Sequence, residues 1–260
     1  MDLAFFSGQK LILFLLILIR TAGIFTLTPL FGSQQIPMQV RLMISLALTF
    51  VFLPLAAPAG KLSAEVVPLA LMAVREAGVG LTIGFVITLV LTAIEIAGHF
   101  IDLNAGFAFA NIVDPVHGTN VALAARVHNL LAGLLFFITN AHLLVVRGIA
   151  DSFSLAPVGD VTLNPAVAGS LTDLFASLFV IALRIAMPVI AAVFLADLAM
   201  AISSRIVPQM NVLMVGFPLK LGVGLVGMIV AVPVVAGMST NMFGDMYHQM
   251  GTLVRLMAVH

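Results

Sequence analysis

Six apolar runs dominate this chain, at roughly Leu3 to Phe31, Val40 to Ala57, Leu69 to Ile96, Val121 to Val146, Leu171 to Ile202 and Leu213 to Met238. Each is near or above the ~20 residues that carry an α-helix across the hydrocarbon of a bilayer. Residues that end helices sit between them. Pro29, Gly32 and Pro37 close the first run, and Pro54, Pro58 and Gly60 the second. Asp114 and Pro115 fall in the third gap, and Pro157, Gly159 and Pro165 in the fourth. Such residues cannot continue a helix or favour turns. The pattern predicts an all-α protein of about six long hydrophobic helices, read as a single domain over residues 1–260.

Composition narrows the class. The chain is 62% hydrophobic and 8% charged with no net charge, far from the roughly one-quarter charged residues of a soluble domain. This is a membrane-associated protein. It has no run of Lys and Arg for nucleic acid or a polybasic lipid site, so no nucleic-acid partner is expected. Without cysteine it has no disulfide, thiol nucleophile or thiolate metal site. The first apolar run lacks a basic leader and a small-residue cleavage site, and it is read as retained structure.

Plain six-pass insertion fits poorly. There is no Trp and one Tyr, Tyr247, so the aromatic belts that anchor spans at the interfaces are missing. Arg20, Glu95, Arg126, Arg184 and Asp197 lie within or at the edges of the runs, at about 2.5–3.5 kcal/mol each if held at a bilayer centre. Lys and Arg divide evenly between alternate loops, so charge bias does not orient the chain. Burial against other apolar protein subunits gives these charges partners that lipid does not offer. Gly80 and Gly84, and Gly222, Gly224 and Gly227, are spaced for close helix approach.

The remaining motifs carry little chemistry. GVGLVG at Gly222–Gly227 matches a dinucleotide fingerprint literally, but no strand is expected before it, and the reading is rejected. Glu95, His99 and Asp102 share a helix face, and a polar helix end or intersubunit hydrogen bonding explains them better than a metal. Met238, Met242, Met246 and Met250 form a slowly drifting stripe, read first as packing. Pro188 is expected to kink the fifth run beside Arg184. The segment Gly106 to Asn120 is an apolar loop with Asn111, Asp114 and Pro115. It is either a buried connector or a plug in which Phe107, Phe109, Ile112 and Val113 fill a channel. No catalytic constellation, cofactor site or metal set is found, and no enzyme is expected. A self-contained secondary transporter, with Glu95, Asp102, Asp197 and Arg205 as coupling groups, is the rival reading.

The stretch Ala196–Lys220 concentrates polar and helix-breaking residues: Asp197, Arg205, Pro208, Gln209, Asn211, Pro218 and Lys220. Here the chain resembles the FliR/SctT family of type III secretion export-gate subunits, in its flagellar more than its virulence branch. Arg20, Gly23, Pro29, Gly32, Pro37, Arg41 and Pro54 are similar to the family's amino-terminal pattern. Glu76, Gly80 and Gly84 match its third helix, and Gly98, Asp102, Gly106, Asp114 and Pro115 its central loop.

The resemblance implies bent helical hairpins packed in a hetero-oligomeric helical export gate, assembled with FliP and FliQ homologues and joined by FlhB and FlhA. It implies a place in the bacterial inner membrane at the flagellar basal body, with much of the assembly on the periplasmic side and contacts to membrane lipid. Unfolded flagellar proteins would be the cargo. Gly106, Phe107, Phe109, Asn111, Ile112, Val113, Asp114 and Pro115 would lie in the pore plug. Arg20, Glu95, Asp102, Arg184, Asp197, Arg205, Pro208, Gln209, Asn211, Pro218 and Lys220 would serve assembly and interfaces.

Overall fold

The computed structural model describes residues 8–29, 36–58, 60, 62–107, 122–162, 164–209 and 211–258, and the side chains of all of these but 212 and 213. Seven α-helices are present among the described residues: α1 (Gly8–Leu27), α2 (Met38–Phe52), α3 (Val66–Ala105), α4 (Leu123–Ile138), α5 (Ala141–Leu155), α6 (Pro165–Ile206) and α7 (Val212–Met257). No strand is formed among them; Pro58 with Val158 and Val161 with Ala258 make isolated bridges.

Four of these helices, α1, α3, α6 and α7, are long and apolar enough to cross a membrane, and the bent pair α4–α5 makes a fifth candidate. The break in that pair is local: Asn140 adopts a left-handed backbone, φ 58°, which ends one helix and starts the next. The second apolar run falls short of a span. Pro37 precedes α2 and Pro54 follows it closely, leaving 15 helical residues, about 22 Å at 1.5 Å per residue, against a hydrocarbon layer of about 30 Å. The expectation of about six long helices is corrected to four or five.

Caps explain the other starts. Asn164 Oδ1 accepts from Ala166 N at 2.9 Å, with Pro165 at the first helical position of α6, where its missing N–H is not needed. Asn211 Oδ1 likewise accepts from Met214 N at 3.3 Å to open α7. Pro188, Pro218 and Pro233 lie inside helices, where each leaves a carbonyl of the preceding turn without its usual donor.

The chain divides into two compact units. The first comprises residues 1–89, 140–174 and 242–260. Its core is built from Leu16, Ile17 and Ile24 of α1, Phe52 of α2, Val79, Ile83 and Ile87 of α3, Ile149 and Phe153 of α5, and Phe243, Leu253 and Val254 of α7. Met242, Met246 and Met250 are buried in this core, as a packing stripe requires. The second unit comprises residues 90–139 and 175–241. There Ala182, Ile185, Ala186, Val189 and Val193 form one buried stripe of α6. Its opposite side is exposed and, apart from Ser177, Arg184 and Arg205, largely apolar, so in this half α6 carries apolar surface on both sides but is covered on one only.

Candidate functional site

The first unit is held around a buried charge. Arg20 and Glu76 are both fully buried, with Nε 2.6 Å from Oε2. Such a pair is tolerable only if every remaining donor and acceptor is met. Arg20 Nη1 donates to the Ser152 carbonyl at 3.0 Å and Nη2 to the Ala156 carbonyl at 3.0 Å. The cation thereby closes the carboxyl end of α5, where helix carbonyls lack partners and the dipole favours positive charge. Its guanidinium also lies 4.7 Å from the centre of the Phe153 ring. Glu76 Oε1 accepts from Gly159 N at 3.0 Å, fixing a turn in which Gly159 has φ +90°, a backbone that glycine adopts without strain. One ion pair thus joins α1, α3, α5 and the turn after α5.

Glycines let the backbones come close enough for this. A Cβ on Gly84 would lie 2.7 Å from the Ile24 carbonyl oxygen, and one on Gly80 would collide with that of Arg20. The small-residue pair expected from the sequence is therefore a helix interface within the chain.

In the second unit, the end of α3 meets the start of α4. Asp102 is 3% exposed, and its two carboxylate oxygens accept from Ala124 N at 2.8 Å and Ala125 N at 3.0 Å. A carboxylate on the free N–H groups of a helix start satisfies both hydrogen bonding and the dipole. Gly98 allows the approach: a Cβ there would stand 2.6 Å from the Ala124 carbonyl oxygen. Farther along, Glu95 Oε2 accepts from Asn129 Nδ2 at 2.7 Å. Glu95, His99 and Asp102 do not converge: two are engaged by α4 and His99 is exposed. No group of three metal-ligating side chains occurs among the described residues. Replacing Asp102 with alanine is expected to cost about 2 kcal/mol, the upper end for a helix cap. Asp102→Asn, which keeps one acceptor, should lose about half as much. Thermal unfolding of the purified protein reads both, and equal melting of wild type and Asp102→Ala would refute the cap.

The stretch Ala196–Lys220 is the turn of a helical hairpin. Gly216 faces Met200 and Gly227 faces Val189, an antiparallel register of α6 and α7, and Lys220 Nζ lies 2.8 Å from Asp197 Oδ1 between them. That pair is partly solvated and contributes at most about 1 kcal/mol. Arg205, Pro208, Gln209 and Pro218 are exposed. An open apolar groove of about 460 Å³ runs beside this hairpin, lined by Pro188, Ala192, Pro218, Gly222, Val226 and Val230 among others.

The residues picked out in the sequence therefore separate. Arg20 and Asp197, which the sequence assigns to partner subunits, find their carboxylate or ammonium partners inside the chain, and Asp102 and Asn211 serve as caps. Arg184 and Arg205 stay exposed. Of the plug candidates, Gly106 has φ +81° and Phe107 is buried against Gly224 of α7. Phe109, Asn111, Ile112, Val113, Asp114 and Pro115 lie outside the described residues. The sequence reading missed Glu76 as the partner of Arg20. Glu76 was noted only for its match to the family's third helix; its place four residues before Gly80, on the helix face that meets α1, was the available signal.

An all-helical chain of this apolarity, with helices of spanning length and polar groups spent on internal closure, is a membrane protein without the constellation of an enzyme among its described residues. Residues 11–246 match the model of the bacterial export proteins, family 1. The flagellar biosynthetic protein FliR of Bacillus subtilis is 34% identical over 95% of this chain and 96% of its own length. That of Aquifex aeolicus is 30% identical over 93% of each chain, and that of Escherichia coli 28% identical over 91% of this chain and 90% of its own. The chain belongs to the FliR family of bacterial export proteins.

Proposed function

We propose that the whole chain, residues 1–260, is a structural and channel subunit of the flagellar type III protein export gate, building with FliP-like and FliQ-like partners the conduit for unfolded flagellar proteins. Family membership supplies the export role. The observation that carries the assembly role is the length of uncovered apolar surface on α6. Exposed large side chains continue from Phe175, 49% exposed, to Ile206, 74% exposed, about 47 Å of helix. A hydrocarbon layer of about 30 Å does not cover that length unless the helix lies steeply tilted. Neighbouring protein does, and the α6–α7 and α3–α4 hairpins of the second unit are elements suited to stacking against further hairpins. On this reading FlhB-like and FlhA-like proteins join the gate at the inner membrane of the basal body, and part of the helical assembly stands outside the bilayer.

The pore-plug role of the segment 106–120 rests on the family resemblance, with Gly106 and Phe107 as its start against α7. The test is expression with and without the two partners, followed by mass measurement of the intact complex. Co-expressed with those partners, the chain should be recovered in a defined hetero-complex and not as a free chain. A monodisperse chain that is stable alone and binds a small solute would establish the transporter reading instead. Within an assembled complex, a deletion inside 106–120 should raise ion leakage while assembly persists; unchanged permeability would remove the plug.

A further inference from the structure

The exposed side of α7 changes character along its length. From Met214 to Val234 its exposed side chains are all apolar, Leu225, Val226, Ile229 and Val230 among them. From Thr240 to the end of the helix they are Thr240, Asn241, Asp245, His248, Thr252 and Arg255, and no large apolar side chain is exposed on α7 beyond Val234. The start of α6 shows the same change independently. Large apolar side chains are exposed from Phe175 on, whereas the exposed residues before it are small or polar, ending in Thr172 and Asp173. In both helices the change falls where the chain passes from one compact unit to the other, at 174–175 in α6 and 241–242 in α7.

The polar leg of α7 belongs to a wider polar face of the first unit. Tyr247 Oη donates to Asp151 Oδ2 of α5 at 2.5 Å, and the Arg147 guanidinium lies 5.7 Å from the centre of the Tyr247 ring. Between α5 and α7 an open cleft of about 250 Å³ is lined by Asp151, Ser154, His248, Thr252 and Arg255 among others. A polar cleft of this size holds water, and hydrocarbon could fill it only by leaving its ions unsolvated. Asp245 and Arg255 have no ion-pair partner among the described residues. Water satisfies such charges; lipid tails or an apolar subunit would not. On another side the same unit stays apolar, with Met43 69% and Phe50 59% exposed on α2, so the polarity belongs to this face and not to the unit as a whole.

We propose that the α5–α7 face of the first unit stands in water, and that the surface α7 offers to lipid or to apolar partners ends between Val234 and Thr240. This rests on the reading of the chain as a gate subunit and refines it by naming the part of the surface that takes no apolar contact. The apolar contacts of α7 are thereby confined to the leg that forms the hairpin with α6.

The chain has no cysteine, so a single introduced thiol reports its own surroundings. Asp245→Cys and Thr252→Cys mark the polar leg, and Leu225→Cys and Ile229→Cys the apolar one. Each full chain is co-expressed with its FliP-like and FliQ-like partners, and sonicated membranes are treated with a charged maleimide that does not enter lipid. The two polar-leg thiols should label at least about tenfold faster than the two apolar-leg thiols, because apolar surroundings suppress the reactive thiolate. All four should label alike in SDS. Polar-leg thiols as slow as the apolar ones until SDS is added would show the face covered and overturn the proposal. Apolar-leg thiols as fast as the polar ones would remove the boundary and overturn it equally. Hydroxyl-radical footprinting of the unsubstituted chain in the same membranes needs no variant to fold: His248 should be oxidised, and its protection would refute the aqueous face. The two levels stay separable. Protection of Asp245→Cys and Thr252→Cys within an intact hetero-complex refutes the aqueous face alone, whereas a chain recovered free despite co-expression with its partners refutes the gate.

Discussion

Arg20→Ala is expected to be among the most damaging single substitutions in the first unit, destabilising it by about 3–5 kcal/mol, the range for removing one partner of a buried ion pair. The loss has three parts. Glu76 is left as a fully buried carboxylate with only the Gly159 amide. The Ala156 carbonyl at the end of α5 loses its guanidinium donor. The Phe153 ring loses the cation beside it. Glu76→Ala should cost a similar amount by stranding the cation. Replacing both, Arg20→Met with Glu76→Leu, should recover most of the charge penalty, since a packed apolar pair often equals a buried ion pair. It should not recover all of it, because the α5 carbonyl and the Gly159 amide still lack partners. Thermal unfolding of the three variants in detergent closes the cycle. If the double substitution is as damaging as the sum of the two single ones, the two side chains are not coupled and the clasp is wrongly assigned.

The clasp also shows where reading from the sequence reached its limit. Length and apolarity mark the long helices, because a run of ~20 apolar residues in a chain this poor in charge has few other solutions. The prolines mark their ends, since proline lacks a donor and restricts the residue before it. The second run failed as a long helix for the same reason read more strictly: Pro37 and Pro54 leave room for little more than α2. Pairing was not legible. A lone Arg in an apolar run announces that a partner exists, and nothing in the local sequence says whether that partner is in the same chain. Arg20 and Glu76 are 56 positions apart, and only the close packing of α1 on α3 brings them together. Asp102 posed the same difficulty. Its position suggested a polar helix end or a hydrogen bond between subunits, whereas it caps α4 of the same chain, 22 positions on.

A second large effect is expected at Gly80, where packing rather than charge is at stake. The α1 and α3 backbones touch there: a Cβ on Gly80 would overlap the Arg20 carbonyl, and one on Gly23 would lie 3.3 Å from the Gly80 backbone. The obstacle is backbone on both sides, not the end of a flexible side chain, so neither helix can yield locally. Gly80→Ala should therefore cost about 1–3 kcal/mol, the usual range for overpacking a filled core, despite the better helix propensity of alanine, worth about 1 kcal/mol in the opposite direction. Gly80→Leu should exceed that range, because moving α3 away from α1 also lengthens the Arg20–Glu76 bond, 2.6 Å in the native arrangement, and exposes a buried ion pair whose stability depends on its geometry. Gly222 provides the control. It is a glycine in an apolar helix with open space where its Cβ would stand, so Gly222→Ala should leave the melting temperature of the isolated chain unchanged or raise it slightly. Melting curves for the three variants separate the explanations. Equal losses at Gly80 and Gly222 would mean that glycine matters in these helices for flexibility, and the close α1–α3 contact would lose its energetic role.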